Sequence, residues 1–197
     1  MIFHTISGVH EFVVTHDMQV YIFLYNTPHV ELEIRIRCIQ PGTHADIHVI
    51  HLQKNNDILK LTTLQQHDAP HTSSSIVVKG ALYDQANFNY SGKIYVSPES
   101  RHTRAEQKSH TLLLSEKAHA QAMPALEVLT NDVQCKHGSA VAGINANLIE
   151  YLASRGITQD DSQEILVKSF FLSALEDKAA QEFFLLNISD ILIKSLF

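Results

Sequence analysis

Cysteine is scarce in this chain of 197 residues, which has two, Cys38 and Cys135, 97 positions apart. Without a Cys-x-x-Cys pair, the sequence contains neither a disulfide framework nor a self-contained zinc motif. It also lacks the basic start and apolar stretch of a signal peptide. Its apolar runs, such as Tyr21 to Tyr25, are far shorter than the roughly 20 residues that span a bilayer. We therefore expect a cytoplasmic protein in a reducing compartment.

An excess of positive charge is also missing. The chain has 15 basic and 21 acidic residues, a formal net charge of -6, so it offers no cationic field for phosphate backbones. Nucleic-acid binding is not expected, and a protein partner or a small ligand fits better. With only 7 Gly and 5 Pro, long disordered or collagen-like tracts are not expected either.

The sequence divides into two parts with different hydrophobic periods. Up to about residue 142, short runs rich in Val, Ile, Thr and Tyr alternate polar and apolar residues, as strands do. Examples are Val30 to Ile36, Ile47 to Leu52, Ser75 to Val78, Lys93 to Val96 and Leu126 to Leu129. The pattern predicts a β domain over residues 1–142 and a C-terminal helical region over residues 143–197.

A weak internal repeat suggests how the β domain is built. Asp84-Gln85-Ala86, ahead of Ile94-Tyr95-Val96, matches Glu116-Lys117-Ala118, ahead of Leu126-Glu127-Val128, at an offset of 32. Repeats of this length are typical of coils stacked along an axis. We expect small residues such as Ala86 and Ala118 where the chain bends inward. A sandwich of irregular strands is the equally open alternative.

Helical signals follow residue 143. Leu148, Ile149 and Leu152 recur at helical spacing, Arg155-Gly156 is a helix end, and Thr158 is the N-cap of a second helix. The stretch from Phe183 to Phe197 is apolar on most of a helical circumference. Such a stretch must be covered, either by the β domain or by a partner.

Cys135 and His137 are the best candidate site residues. At positions i and i+2 of a strand, their side chains share one face and lie roughly 7 Å apart. Thiolate and imidazole bind iron and zinc, but two ligands cannot complete a tetrahedral site, so the others must come from elsewhere. The alternative is that Cys135 packs in the core, since Val133 shares the same face.

Other polar residues give weaker signals. His44 and His48 would share a strand face and His51 the opposite one, so the three do not form a strand-borne metal site. His67 and His71 are expected to hydrogen-bond a turn. Glu127 could stack coils or serve an interface. The acidic residues show no paired carboxylates for a β-helical carbohydrate-acting enzyme, the His-x-His pattern of a cupin is missing, and no Gly-x-x-x-x-Gly-Lys sequence indicates ATP hydrolysis.

Three ordered segments carry a resemblance to a known family. The first runs from Gln66 through His71-Thr72-Ser73-Ser74 and Lys79-Gly80 to Gly92-Lys93-Ile94. The second comprises Leu112 to Ser115, Pro124 to Val128 and Asn131 to Val133. The third joins Cys135 to Ser139 with Tyr151 to Ile157. Together, over roughly residues 40 to 175, they resemble the SufB/SufD family of iron-sulfur cluster assembly proteins, and the Cys-x-His-Gly form resembles SufD.

The resemblance implies a mainly β fold, a right-handed parallel β-helix followed by a small helical region. It implies a scaffold rather than an enzyme, with Cys135 and His137 as ligands of an iron-sulfur cluster held transiently and shared with a partner subunit. The implied partners are a SufB-like subunit or a second copy of the chain, as a dimer, and a SufC-like ABC ATPase that docks on the C-terminal helices.

A second hypothesis has the same fold but no metal ligation. Family members are usually longer, with an N-terminal helical segment, whereas strand signals here begin almost at Met1. The chain would then be a shortened SufD-like paralogue that acts only as a partner-binding module, without cluster ligation.

Overall fold

The computed structural model describes residues 1–4, 7–25 and 27–187. This part of the chain forms eleven strands followed by three helices. The strands are β1 (Ile2–His4), β2 (Gly8–Val14), β3 (Met18–Tyr25), β4 (His29–Cys38), β5 (His44–Gln53), β6 (Ile58–His67), β7 (Ser73–Leu82), β8 (Asn87–Val96), β9 (Thr103–Leu113), β10 (His119–Val128) and β11 (Val133–Gly143). The helices are α1 (Ala146–Ser154), α2 (Gln159–Leu172) and α3 (Lys178–Asn187).

The strands alternate between two parallel sheets. One sheet has the order β1-β3-β5-β7-β9-β11 and is called the odd sheet; the other, β10-β8-β6-β4-β2, is the even sheet. Each coil adds one strand to each sheet, which makes a parallel β-helix of about 4 turns. The predicted stacked-coil fold is confirmed, and the sandwich alternative is wrong. The offset of 32 is the register of β10 on β8, where His119 pairs with Asn87.

The core fills the lumen of the β-helix. On β4 the inward side chains Leu32, Ile34 and Ile36 are buried, while intervening residues such as Glu31 and Arg35 face outward. Alternation in the sequence therefore becomes alternation between lumen and surface. Ala86 and Ala118 are buried in the same core cluster, immediately before β8 and β10.

The end of α1 and the start of α2 lie where the sequence predicts them. Thr158 is the N-cap of α2, and its side chain accepts a hydrogen bond from the backbone of Asp161. Gly156 has φ +83, the left-handed conformation that terminates a helix at little cost for glycine. β11 ends at Gly143 and α1 begins at Ala146.

Helices α2 and α3 pack on the outer face of the odd sheet. Phe171 and Phe184 are fully buried in a second core cluster with Phe23 and Ile50 of the sheet. Tyr21 adds a hydrogen bond, since its hydroxyl accepts from the backbone N–H of Asp177 at 3.2 Å. Thus the β domain covers the apolar face of these helices. Of the predicted apolar stretch 183–197, residues 188–197 lie outside the described part. No helix in the described ranges is long and apolar enough to cross a membrane.

Candidate metal-ligand site at the open end of the β-helix

The β-helix ends at β10 and β11, which we call the open end. In the described part of the chain, each of these strands has a neighbour on one side only, β8 and β9 respectively. Their inward side chains therefore rest on one coil beneath them. Leu126 and Val128 are 40% and 36% exposed, whereas their register partners Ile94 and Val96 are fully buried.

Cys135 and His137 lie on the inward face of β11. They pair in register with Ala105 and Gln107 of β9, both of which are buried in the lumen. The prediction that the thiol and the imidazole share a strand face is confirmed. Their position at the open end gives them access to whatever covers that end.

The Cys135 side chain is half-buried. With Val133 it packs against Ile94, Val96 and Ala105, as the core alternative predicted. Burial raises the pKa of the thiol, and a hydrogen bond with the Ala105 backbone partly offsets this effect. The thiol is therefore protonated at neutral pH, and a bound metal would have to displace its proton.

His137 is exposed beside this thiol. Thiolate sulfur and imidazole nitrogen suit iron and zinc, so the donor chemistry fits a metal or cluster. Across the residues that the structure describes, however, no group of three or more His, Cys, Asp or Glu side chains could hold a metal ion. The site supplies two ligands, and the rest must come from elsewhere.

The remaining cysteine and three histidines are placed differently. Cys38 is fully buried, and burial raises the pKa of its thiol to about 12, so it is an inert core residue. His44 and His48 face outward and His51 faces the lumen, as strand parity predicted. His48 Nε2 lies 2.8 Å from Asp46 Oδ2. His51 is fully buried, and burial lowers its pKa to about 3.

Two histidines of the family-like segment lie at a turn, and one of them, His67, hydrogen-bonds residues there. His67 is buried, with Nδ1 2.7 Å from the Thr72 hydroxyl and Nε2 2.8 Å from the Ser74 hydroxyl. His71 has φ 58 and stacks on His102 of the next coil, with ring centroids 4.6 Å apart. The predicted hydrogen bonds at the turn are confirmed for His67, whereas the contact recorded for the His71 ring is its stack on His102.

Glu127 is an outer-surface residue. Its Oε2 lies 2.5 Å from Lys93 Nζ, and both side chains are about half exposed. Because Lys93 is on β8 and Glu127 on β10, the ion pair links adjacent coils. An exposed pair of this kind adds little stability.

Sequence reasoning missed the polar character of the lumen near the open end. Before the partly buried Leu113 at its end, the inward row of β9 carries no large apolar side chain; it consists of Thr103, Ala105, Gln107, Ser109 and Thr111, all buried. A strand whose two faces are both polar gives no hydrophobic period to read. These residues become visible only in the strand register, where His137 of β11 pairs with Gln107 of β9.

The C-terminal helices present a second candidate surface. In contrast to α2 and α3, helix α1 has no buried residue, and Leu148 and Tyr151 are 46% and 56% exposed. The Arg155 guanidinium lies over the Tyr151 ring, 5.3 Å from its centroid. This exposed apolar face, Leu148 and Tyr151, is suited to a protein partner.

The fold and the open end define a class of protein: a parallel β-helix that presents a thiol and an imidazole on its last coil. Residues 15–170 match the family model described as SUF system FeS cluster assembly, SufBD core domain. The chain belongs to this family.

Curated relatives agree with this assignment. The chain is 28% identical over 130 residues to the iron-sulfur cluster assembly protein SufD of Escherichia coli, covering 64% of this chain and 31% of that protein. It is 26% identical over 136 residues to SufD of Bacillus subtilis, covering 69% and 31%. An iron-sulfur cluster assembly SufBD family protein of Synechocystis is 31% identical over 101 residues, covering 51% and 22%. The chain thus spans less than a third of the length of these relatives.

Proposed function

We propose that this chain is a non-catalytic scaffold in iron-sulfur cluster assembly of the SufBD type. The observation that carries the proposal is the placement of Cys135 and His137 on the inward face of β11, at the open end of the β-helix. In this role the two side chains are ligands of a cluster that a second subunit helps to hold.

The need for a second subunit follows from the number of ligands. One open end supplies a sulfur and a nitrogen, and two open ends facing each other supply two of each, enough for tetrahedral coordination. A SufB-like subunit or a second copy of this chain fits that requirement. A two-fold axis would bring the same strands of both copies together.

The free strand edges favour such pairing. β10 and β11 each have a row of backbone groups without a neighbouring strand among the described residues. Exposed edges are templates for strands of another chain. Leu126 and Val128 would be covered by the same contact.

Reconstitution tests the ligand role. The reduced protein, alone and with a SufB-like subunit, is incubated anaerobically with iron and sulfide, and bound iron and sulfide are measured. Cys135→Ala and His137→Ala are expected to lower cluster content. Cys38→Ala is the matched cysteine control, since Cys38 is buried, and His119→Ala is the control for an exposed histidine. Unchanged cluster content in both site variants contradicts the ligand role.

We also propose that a SufC-like ABC ATPase docks on the C-terminal helices, through the exposed face of α1. Deleting α2 and α3 would uncover Phe23 and Ile50 of the odd sheet, so loss of binding by a truncated chain would be ambiguous. Leu148→Asp and Tyr151→Asp change only exposed positions. They should abolish binding of the ATPase in a pull-down, while Leu186→Asp, on α3 and 79% exposed, should not. Equal binding by all variants would rule out docking through α1.

A second candidate function is a partner-binding module without cluster ligation. The packing of Cys135 against Ile94 and Val96, and the raised pKa of its thiol, favour it. In that case the site variants keep subunit pairing and ATPase docking, and reconstitution yields no cluster that depends on Cys135.

A further inference from the structure

One side of helix α1 faces solvent. Leu148 and Tyr151 of the helix and Arg155 at its C-cap occupy positions i, i+3 and i+7, which lie on the same side of a helix, and all three are exposed. The other side is turned towards the rest of the chain, since Ile149 and Glu150 line a cavity with residues of β9 and α2. The exposed side is therefore free to contact another molecule.

The Arg155 side chain has an aromatic neighbour but no anionic one. Its guanidinium lies over the Tyr151 ring, 5.3 Å from the centroid. With the described residues it forms no ion pair and no side-chain hydrogen bond. Glu150, the acidic residue of α1, lines the cavity on the other side of the helix and is not its partner.

Cations on the even sheet are placed differently. Every Lys and Arg side chain on its strands contacts a carboxylate, in the pairs Arg35–Glu33, Arg37–Asp68, Lys60–Glu31 and Lys93–Glu127. These pairs satisfy the charges of the sheet within the chain. The charge of Arg155 has no such partner, so an anionic group of another molecule can bind it.

The contact with Tyr151 prepares the guanidinium for such binding. A planar guanidinium presents its N–H donors as a fixed fork that matches the two oxygens of a carboxylate, and stacking on a ring limits the orientations of that fork. The attraction between a cation and a ring also grows when water is excluded from both. Tyr and Arg are for these reasons enriched among the residues that contribute most to protein–protein binding.

We propose that Tyr151 and Arg155 form one anchor for the ATPase partner: Tyr151 enters an apolar cleft of the partner, and Arg155 binds a carboxylate at the rim of that cleft. The inference rests on the proposed function, since it requires that the ATPase docks on α1. It adds the chemistry of the partner surface, which is an apolar cleft flanked by an acidic side chain.

Affinity for the ATPase at low and at high salt tests the anchor. The full chain is titrated with a SufC-like ABC ATPase, and the Kd is measured at both salt concentrations. Arg155→Gln should weaken binding at low salt by about 10-fold or more. Its remaining affinity should depend less on salt than that of the wild type, because the ion pair that salt screens is gone. Arg155→Lys should restore only part of the loss, since an ammonium lacks the planar fork.

Arg101→Gln is the matched control. Arg101, in the turn between β8 and β9, is an exposed arginine that likewise has no ion pair with the described residues. Arg101→Gln should change neither the Kd nor its salt dependence. A purely structural role of Arg155 at the end of α1 would lower the melting temperature of the free chain, whereas the anchor predicts that Arg155→Gln melts as the wild type does.

A double-mutant cycle tests whether the ring and the guanidinium act together. Tyr151→Leu keeps an apolar side chain and removes the ring. If the two residues form one anchor, the loss of affinity in the double variant Tyr151→Leu with Arg155→Gln is smaller than the product of the two single losses. Single losses that multiply show that the side chains act independently, and they overturn the anchor.

The outcomes separate the anchor from docking itself. If Arg155→Gln binds like the wild type at both salt concentrations while Leu148→Asp does not bind, the anchor is overturned and docking through α1 stands. An equal loss in Arg101→Gln and Arg155→Gln also overturns the anchor. If Leu148→Asp and Tyr151→Asp bind like the wild type, or if the wild type does not bind the ATPase, both proposals are overturned. If Arg155→Gln fails to fold, Arg155→Met, which also lacks the charge, takes its place.

Discussion

Acidification should destabilise this protein through two histidines buried in the lumen. Burial lowers the pKa of His51 to about 3 and that of His67 to about 4, so both are neutral in the folded chain at neutral pH. In the unfolded chain an imidazole has a pKa of about 6.5. The unfolded state therefore binds protons first as the pH falls. The stability contributed by the neutral rings is complete above about pH 6.5 and is lost as the pH falls towards the folded pKa values.

The size of the effect follows from the pKa values. At about pH 5, both rings are protonated in the unfolded chain and still neutral in the folded one. One pKa unit corresponds to about 1.4 kcal/mol, so each ring loses about 2 kcal/mol of unfolding free energy between neutral pH and pH 5. Together His51 and His67 should account for a loss of about 4 kcal/mol, a large share of the 5–15 kcal/mol typical of a folded protein.

Urea unfolding at about pH 7.5 and about pH 5 measures this loss. His51→Leu removes an imidazole that has no hydrogen-bond partner among the described residues, and His67→Gln keeps an amide that can bond the neighbouring hydroxyls. Each variant should lose about half of the pH dependence. His119→Gln, at an exposed position, should keep all of it. If either buried variant shows the full wild-type dependence, that ring is not neutral and buried as the structure has it.

Three further predictions concern packing, capping and pairing. Gly80→Ala should destabilise the protein by about 1–3 kcal/mol, since the new Cβ would lie 2.1 Å from the His51 ring. In a His51→Ala background the same substitution should be neutral or stabilising. Urea unfolding of the wild type, the two single variants and the double variant measures this coupling, and an equal effect of Gly80→Ala in both backgrounds would contradict it. Thr158→Ala should cost about 1 kcal/mol and Thr158→Ser much less, because the side chain caps α2; equal urea midpoints would show that the cap is unimportant. Leu126→Asp should shift any dimer to monomer in light scattering with little change in melting temperature. Ile39→Asp, directly after β4 and with similar exposure, should leave association unchanged.

Much of the fold could be predicted from the sequence because local patterns and tertiary structure agree. Alternation in β4 separates a buried row, Leu32, Ile34 and Ile36, from a solvent row. The offset of 32 is the true register between β8 and β10. Thr158 and Gly156 mark helix boundaries for local reasons of capping and backbone conformation. The boundary between residues 142 and 143 as a division of domains stays a prediction, because α2 and α3 share a core with the odd sheet.

The candidate site could be predicted only in part. The alternation of side chains along a strand places Cys135 and His137 on one face. The sequence does not show, however, that β11 belongs to the last coil and has no further coil above it. β10 and β11 have strand patterns like those of earlier coils, yet none of their inward residues is buried. The place of Gln107 beneath the site could not be read either. Its strand is polar on both faces up to Thr111, and only the register shows that Gln107 lies beneath His137.

The exposure of the open end also links pairing to metal binding in the proposed function. Leu126 and Val128 have the same parity and chemical character as Ile94 and Val96 and differ from them in lacking a coil above. A subunit that covers these two side chains necessarily closes over the inward face of β11 as well. Metal held between the two subunits then stabilises their contact, and the contact supplies the missing ligands. Because such linkage is reciprocal, metal should tighten subunit association by the same factor by which association tightens metal binding.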